Sequence, residues 1–120
     1  MRSYNKYINY FNTVQNELFN SNDENNVRYI ITQLMLFLKN NHLIDKNYLD
    51  KNQLFVKCEA DKSLIKEQSI DDLLSFLTMI YRIDYIDSNS DAYIIYYNNQ
   101  MIHEILNNLI IKLKKITEGN

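Results

Sequence analysis

The stretch DSNSDAYIIYYN, Asp87 to Asn98, places side-chain oxygens at alternating positions, Asp87, Asn89 and Asp91, with aliphatic Ile94 at the eighth. An EF-hand loop opens in this way, because a hard cation needs converging oxygen ligands. Such a loop also needs glycine at its sixth position for the sharp turn and a bidentate glutamate at its twelfth. Ala92 and Asn98 stand there instead, and Ile95 occupies the ninth. One neutral amide oxygen supplies neither the second ligand atom nor the charge. The stretch therefore reads as an Asx-type turn followed by a short helix capped by Ser90 or Asp91.

The remaining groups able to hold a metal or attack a substrate are His42, Cys58, His103 and Glu104. None of the histidines or the cysteine shares ligand spacing with another. A Cys58–His103 dyad would have to be assembled by the fold, with no local signature behind it. Cys58 is expected to be a buried thiol and His103 a surface imidazole. With no glycine before Gly119, a phosphate-cradling loop is excluded. Neither a metal nor a cofactor is expected, and nothing points to an enzyme.

Two further sets of residues suit recognition. Arg82 and Asp84, in RIDY, are two residues apart and so point to different sides of a helix. Each is expected to tie that helix to a neighbour by charge-assisted hydrogen bonds. The alternative is that Arg82 receives an anion or a partner's carboxylate. Tyr81, Tyr85, Tyr93, Tyr96 and Tyr97 cluster around the same turn. Tyrosine brings contact area and a polar tip at small entropic cost, which suits an interface. With Arg82 and Asp84 these five tyrosines form the expected partner-binding set. The chain is also rich in Asn, Ile and Lys, and AT-rich codons encode all four residues, so the number of tyrosines alone carries no functional meaning.

Lys112, Lys114 and Lys115 form the one close basic cluster, in a chain of net charge −2. Nucleic acid binding usually requires a basic face, so these lysines support only the alternative reading. At the end of a helix they also complement its exposed carbonyls.

These groups need elements to position them. The 120 residues contain no proline and a single, penultimate glycine, which removes the usual punctuation of a sandwich or barrel and favours helices. Asparagine takes over the turns, with pairs at 25–26, 40–41, 98–99 and 107–108 as candidate breaks, although the last lies inside a strong helical pattern. A first helix, capped by Ser3, carries Tyr4, Tyr7, Ile8, Phe11, Val14 and Leu18 on one face. After NSNDENN, a second begins near Asp23 and Glu24, buries Val27, Ile30, Ile31, Leu34, Met35, Phe37 and Leu38, and stops near Asn40–Asn41. Residues 42–68 carry a weaker pattern, and LFVKC at 54–58 is compatible with strand or helix. Irregular or short helical structure is expected there. Ser69 opens SIDD, a capping box in which Asp72 answers the cap. The helix that follows is apolar on most sides, with only Ser75, Thr78 and Arg82 as a polar edge, and so should lie centrally. A final helix from about Gln100 to Ile116 faces Met101, Ile102, Ile105, Leu106, Leu109, Ile110 and Leu113 inward.

The segment SIDDLLSFLTMIYRIDYI resembles the motif region of a bacterial domain-of-unknown-function family, whose leucine-rich helix reads L-L-T-x-x-x-R-x-D-R-F. Leu77, Thr78, Arg82 and Asp84 match, while Tyr85 and Ile86 replace the usual Arg and Phe. The family's glycines would correspond to Asn89 and Asn99 in left-handed positions. HEILNNL at 103–109 is similar to the family's closing helix without its arginine. The likeness covers the C-terminal half. It implies an all-helical bacterial or phage protein and brings no activity with it.

A lone cysteine allows no intrachain disulfide and fits a reducing compartment. MRSYNKYINYF lacks the apolar core of a signal peptide, and no apolar run is long enough to span a bilayer. The expectation is a single cytoplasmic domain over residues 1–120, an all-α compact bundle of about five helices. It would be a small non-enzymatic protein-binding module, an inhibitor or adaptor acting on a host or defence protein. A nucleic-acid-binding or regulatory role is the alternative, and homodimerisation through the wide apolar faces stays open.

Overall fold

The computed structural model describes residues 4–118, and the expected cap at Ser3 lies outside them. Six α-helices follow one another: α1 (Asn5–Phe19), α2 (Glu24–Asn40), α3 (Asn52–Ala60), α4 (Ile70–Ile86), α5 (Ala92–Asn98) and α6 (Met101–Glu118). Short 3-10 segments at Tyr48–Lys51, Lys62–Glu67 and Ser88–Ser90 join them, and no strand occurs among the described residues. The radius of gyration, 13.7 Å, is near the ~13.6 Å of a compactly folded chain of this length.

The bundle has one more α-helix than expected, because LFVKC lies in α3. Its apolar residues sit one turn apart, so Phe55 and Cys58 enter the core together while Val56 and Lys57 face out. The Asn25–Asn26 pair does not break the chain either. Both lie in the first turn of α2, where the Asp23 carboxylate accepts the Asn26 N–H at 2.7 Å.

α4 and α6 form the centre. Every residue of α4 from Ser75 to Ile80 is buried, and α6 buries all seven of its expected inward residues together with Asn108. α1 lies along α6, and α2 packs against α1 and the α4–α5 corner. The buried side chains of these helices merge into one core. At its edge, Phe37 of α2 stacks on Tyr10 of α1, with ring centroids 3.9 Å apart.

Helix ends explain the turns. α2 closes with the Leu43 N–H donating to the Leu38 carbonyl at 2.8 Å and the His42 N–H to that of Lys39 at 3.2 Å. This pairing is a Schellman motif, and it places His42 in the left-handed region at φ 59°. Asp91 and Gln100 also have positive φ, 58° and 73°. Asn89 and Asn99 do not, contrary to expectation. Asn89 lies within the 3-10 segment, and Asn99 is the C-cap of α5 at φ −88°. The left-handed residue after a helix falls one position beyond the cap, on Gln100.

The Ser69 cap forms as expected, accepting the Asp72 N–H at 3.1 Å. The reciprocal half of the box does not, because the Asp72 carboxylate takes the Lys51 ammonium at 2.6 Å. The polar edge of α4 also has an internal use. Ser75 and Thr78 are buried and hold the connection from α2: the Ser75 hydroxyl donates to the Asp45 carboxylate, and Thr78 Oγ1 accepts the Asp45 N–H at 3.1 Å.

Candidate functional site

The residues of the 81–98 region separate once folded. Tyr93 is buried under the α4–α5 corner, where loss of solvent raises its hydroxyl pKa. Tyr96 is half-buried, edge-on to Phe55 at 5.5 Å, and burial raises its pKa as well. Tyr97 points to α1, its hydroxyl 3.5 Å from the Leu18 carbonyl. All three pack against or within the core. The reason is periodicity: the α5 face carrying Ala92, Tyr93 and Ile94 closes over α4, and Tyr96 and Tyr97 fall beside that face.

Tyr81 is half-buried against the core as well, and Tyr85 beside it is exposed. They lie one turn apart at the C-terminal end of α4, with ring centroids 6.2 Å apart. The Arg82 guanidinium sits against both rings, 5.5 Å from the Tyr81 centroid and 5.9 Å from that of Tyr85. Tyr85 is 70% exposed and the adjacent Ile86 77%. The expected ties from Arg82 and Asp84 to neighbouring helices do not form, and neither makes an ion pair among the described residues. Arg82 Nε is buried with no hydrogen-bond acceptor among the described residues. Asp84 faces the other way, towards Asp91 and Arg28; burial first, and then the Asp91 carboxylate, raise its pKa, against the lowering pull of Arg28.

The cation that does tie helices is Arg28 of α2. Its Nε and Nη2 donate to Asp91 Oδ1 at 3.1 and 2.9 Å, and Nη2 reaches Oδ2 at 3.2 Å. Asp91 occupies the N-cap position of α5 without capping it, contrary to expectation. Capping needs an extended backbone, and the left-handed turn at Asp91 swings the carboxylate outwards to Arg28. Ser90 does not cap either, since its hydroxyl is buried without a partner among the described residues. The Asx turn is present one step earlier, where Asp87 accepts the Asn89 N–H at 3.0 Å.

The metal and nucleophile candidates stay apart. Cys58 is fully buried, and burial raises its thiol pKa. His103 is exposed on α6, its Nδ1 3.4 Å from the Gln15 side-chain oxygen. No cluster of three metal-ligating side chains occurs among the described residues. His103 borders a groove of about 570 Å³ between α1 and the α5–α6 turn, shared with Gln15, Asn16, Phe19, Tyr97 and Gln100. Amides and the Phe19 and Tyr97 rings line the groove beside His103, and among the described residues no carboxylate or second imidazole lines it.

The lysines of α6 are not a united patch. Lys112 lies half-buried and donates to the Lys66 carbonyl at 3.0 Å, which leaves Lys114 and Lys115 exposed. Among the described residues, no helix is long and apolar enough to cross a membrane. No protein-family model, curated protein or solved structure matches the chain. The spacing of Tyr81, Arg82 and Tyr85 along one helix is legible in the sequence, whereas the exposure of Ile86 beside Tyr85 is not, because an isoleucine in an apolar helix carries no sign of facing out.

Proposed function

We propose that the chain is a small non-enzymatic protein-binding module, of the inhibitor or adaptor kind, that docks through the C-terminal end of α4. One observation carries the reading: the exposed Tyr85 and Ile86 adjoin a guanidinium held against two tyrosine rings with no carboxylate of its own among the described residues. Aromatic residues and arginine dominate binding energy at interfaces, because they combine large buried area with directed hydrogen bonds. An apolar patch interrupted by one cation suits a protein surface better than a polyanion. The burial of Cys58, and the pairing of the His103 ring with the Gln15 amide rather than with a nucleophile or carboxylate, support a role without catalysis.

The test is affinity capture from the native host lysate at low and moderate salt, comparing the wild type with a Tyr85→Ser/Ile86→Ser variant. A protein retained at moderate salt by the wild type and lost by the variant is the expected result. Equal capture by both, or recovery of nucleic acid alone, lost as salt rises, would overturn the reading.

A further inference from the structure

We propose that Arg82 receives a single side-chain carboxylate carried on an otherwise apolar segment of a protein partner. This rests on the docking surface described above and specifies what it recognises. The two arginines of the described region contrast: Arg28 has its carboxylate, held through two guanidinium nitrogens, and Arg82 has none. The rings of Tyr81 and Tyr85 hold the planar guanidinium in place. A fork already oriented loses less entropy when it binds a carboxylate than a mobile one would. Pairing would be charge-assisted, and partial burial of Arg82 strengthens it by excluding water.

The charges nearby decide how much negative charge the site accepts. The exposed Asp87, C-cap of α4, follows Ile86 directly, and the last carbonyls of α4 add partial negative charge at the same end. One cation in such surroundings can offset one carboxylate. A polyacidic run or a nucleic acid would bring further charges against Asp87 and those carbonyls. Tyr85 and Ile86 ask instead for apolar flanking residues.

The probe is a short capped peptide, Ser-Gly-Leu-Leu-Asp-Leu-Phe-Gly-Ser, titrated to millimolar concentration into ¹⁵N-labelled full-length protein. An asparagine version and hexaglutamate serve as comparisons. The chain has only three arginines, so each Nε–H signal can be followed by NMR. The expected result is a shift of the Arg82 Nε–H and of the Tyr81 and Tyr85 signals, with the aspartate peptide bound about tenfold more tightly than the asparagine one. Arg82→Gln should abolish that difference, and Arg82→Lys should recover it only in part, because lysine keeps the charge without the fork. Equal affinity for the two peptides at Tyr85 and Ile86 would overturn carboxylate recognition and leave the docking surface intact. No shift at the end of α4 with either peptide would overturn both. Tighter binding of hexaglutamate would overturn the single-charge rule on which the proposal depends.

Discussion

Arg28 and Asp91, 63 residues apart in sequence, form a two-nitrogen ion pair that fastens α2 to the start of α5, with N–O distances of 3.1 and 2.9 Å to one oxygen. The corner it holds is the one under which Tyr93 is buried. The pair is partly in water, with the side chains 39% and 47% exposed, so it should be worth only about 1 kcal/mol. Arg28→Ala and Asp91→Asn should each lower unfolding stability in urea by that amount. The double variant should lose little more than either single one, because both delete the same interaction. Fully additive losses would show that the two residues act separately.

The left-handed residues make a second prediction. Gln100 holds φ 73° just past α5, a position where glycine suffers no steric penalty. Gln100→Gly should raise stability by about 1 kcal/mol, read from the denaturation midpoint. Asp91→Gly, at φ 58°, should give no such gain, because relief of strain is offset by loss of the Arg28 pair.

Two aspartates should respond to pH in opposite directions. The Ser75 hydroxyl first, and the Asn47 N–H second, lower the pKa of Asp45. Its stabilising contribution is therefore present above the ordinary carboxylate pKa of about 4 and is lost as pH falls through the folded value. Burial, followed by Asp91, raises the pKa of Asp84. The fold favours its neutral form, so its contribution is full in acid and declines as pH rises through the ordinary and then the folded value. Asp45→Asn should destabilise at pH 7, and Asp84→Asn should raise Tm there by a few degrees. Both differences should shrink at about pH 3, and thermal melts at the two pH values would show it.

Thr78 tests the connection between α2 and the 3-10 segment at Tyr48–Lys51. Its hydroxyl accepts the Asp45 N–H at 3.1 Å and donates to the Leu74 carbonyl at 2.9 Å. Thr78→Val keeps the shape and orphans the Asp45 amide, at a cost of about 1–2 kcal/mol. Hydrogen exchange at Asp45 should accelerate, while exchange in the middle of α6 should keep its rate relative to global unfolding.

Cys58 should resist an aqueous thiol reagent in the native protein and react at once in denaturant. It is fully buried, and its raised pKa keeps the thiolate scarce. Fast modification under native conditions would mean that α3 opens readily.

What the sequence determined by itself was local. The apolar spacing of α1, α2 and α6 fixed which faces turn inward, because a 3.6-residue period leaves only one face for each stripe. Asp23 and Ser69 marked helix starts because a side-chain oxygen within three residues of an orphan N–H needs no tertiary help. The tertiary structure alone decided α3, whose weak stripe becomes helical as Phe55 and Cys58 join the core. It also chose the partners of the long-range ion pairs among the described residues: Arg28 took Asp91 and Lys51 took Asp72. Such choices depend on how helices cross, which no spacing along one helix encodes. The same limit applies to the tyrosines. Their rings suit the core and their hydroxyls suit water, so packing sent Tyr93 inward and left Tyr85 outside.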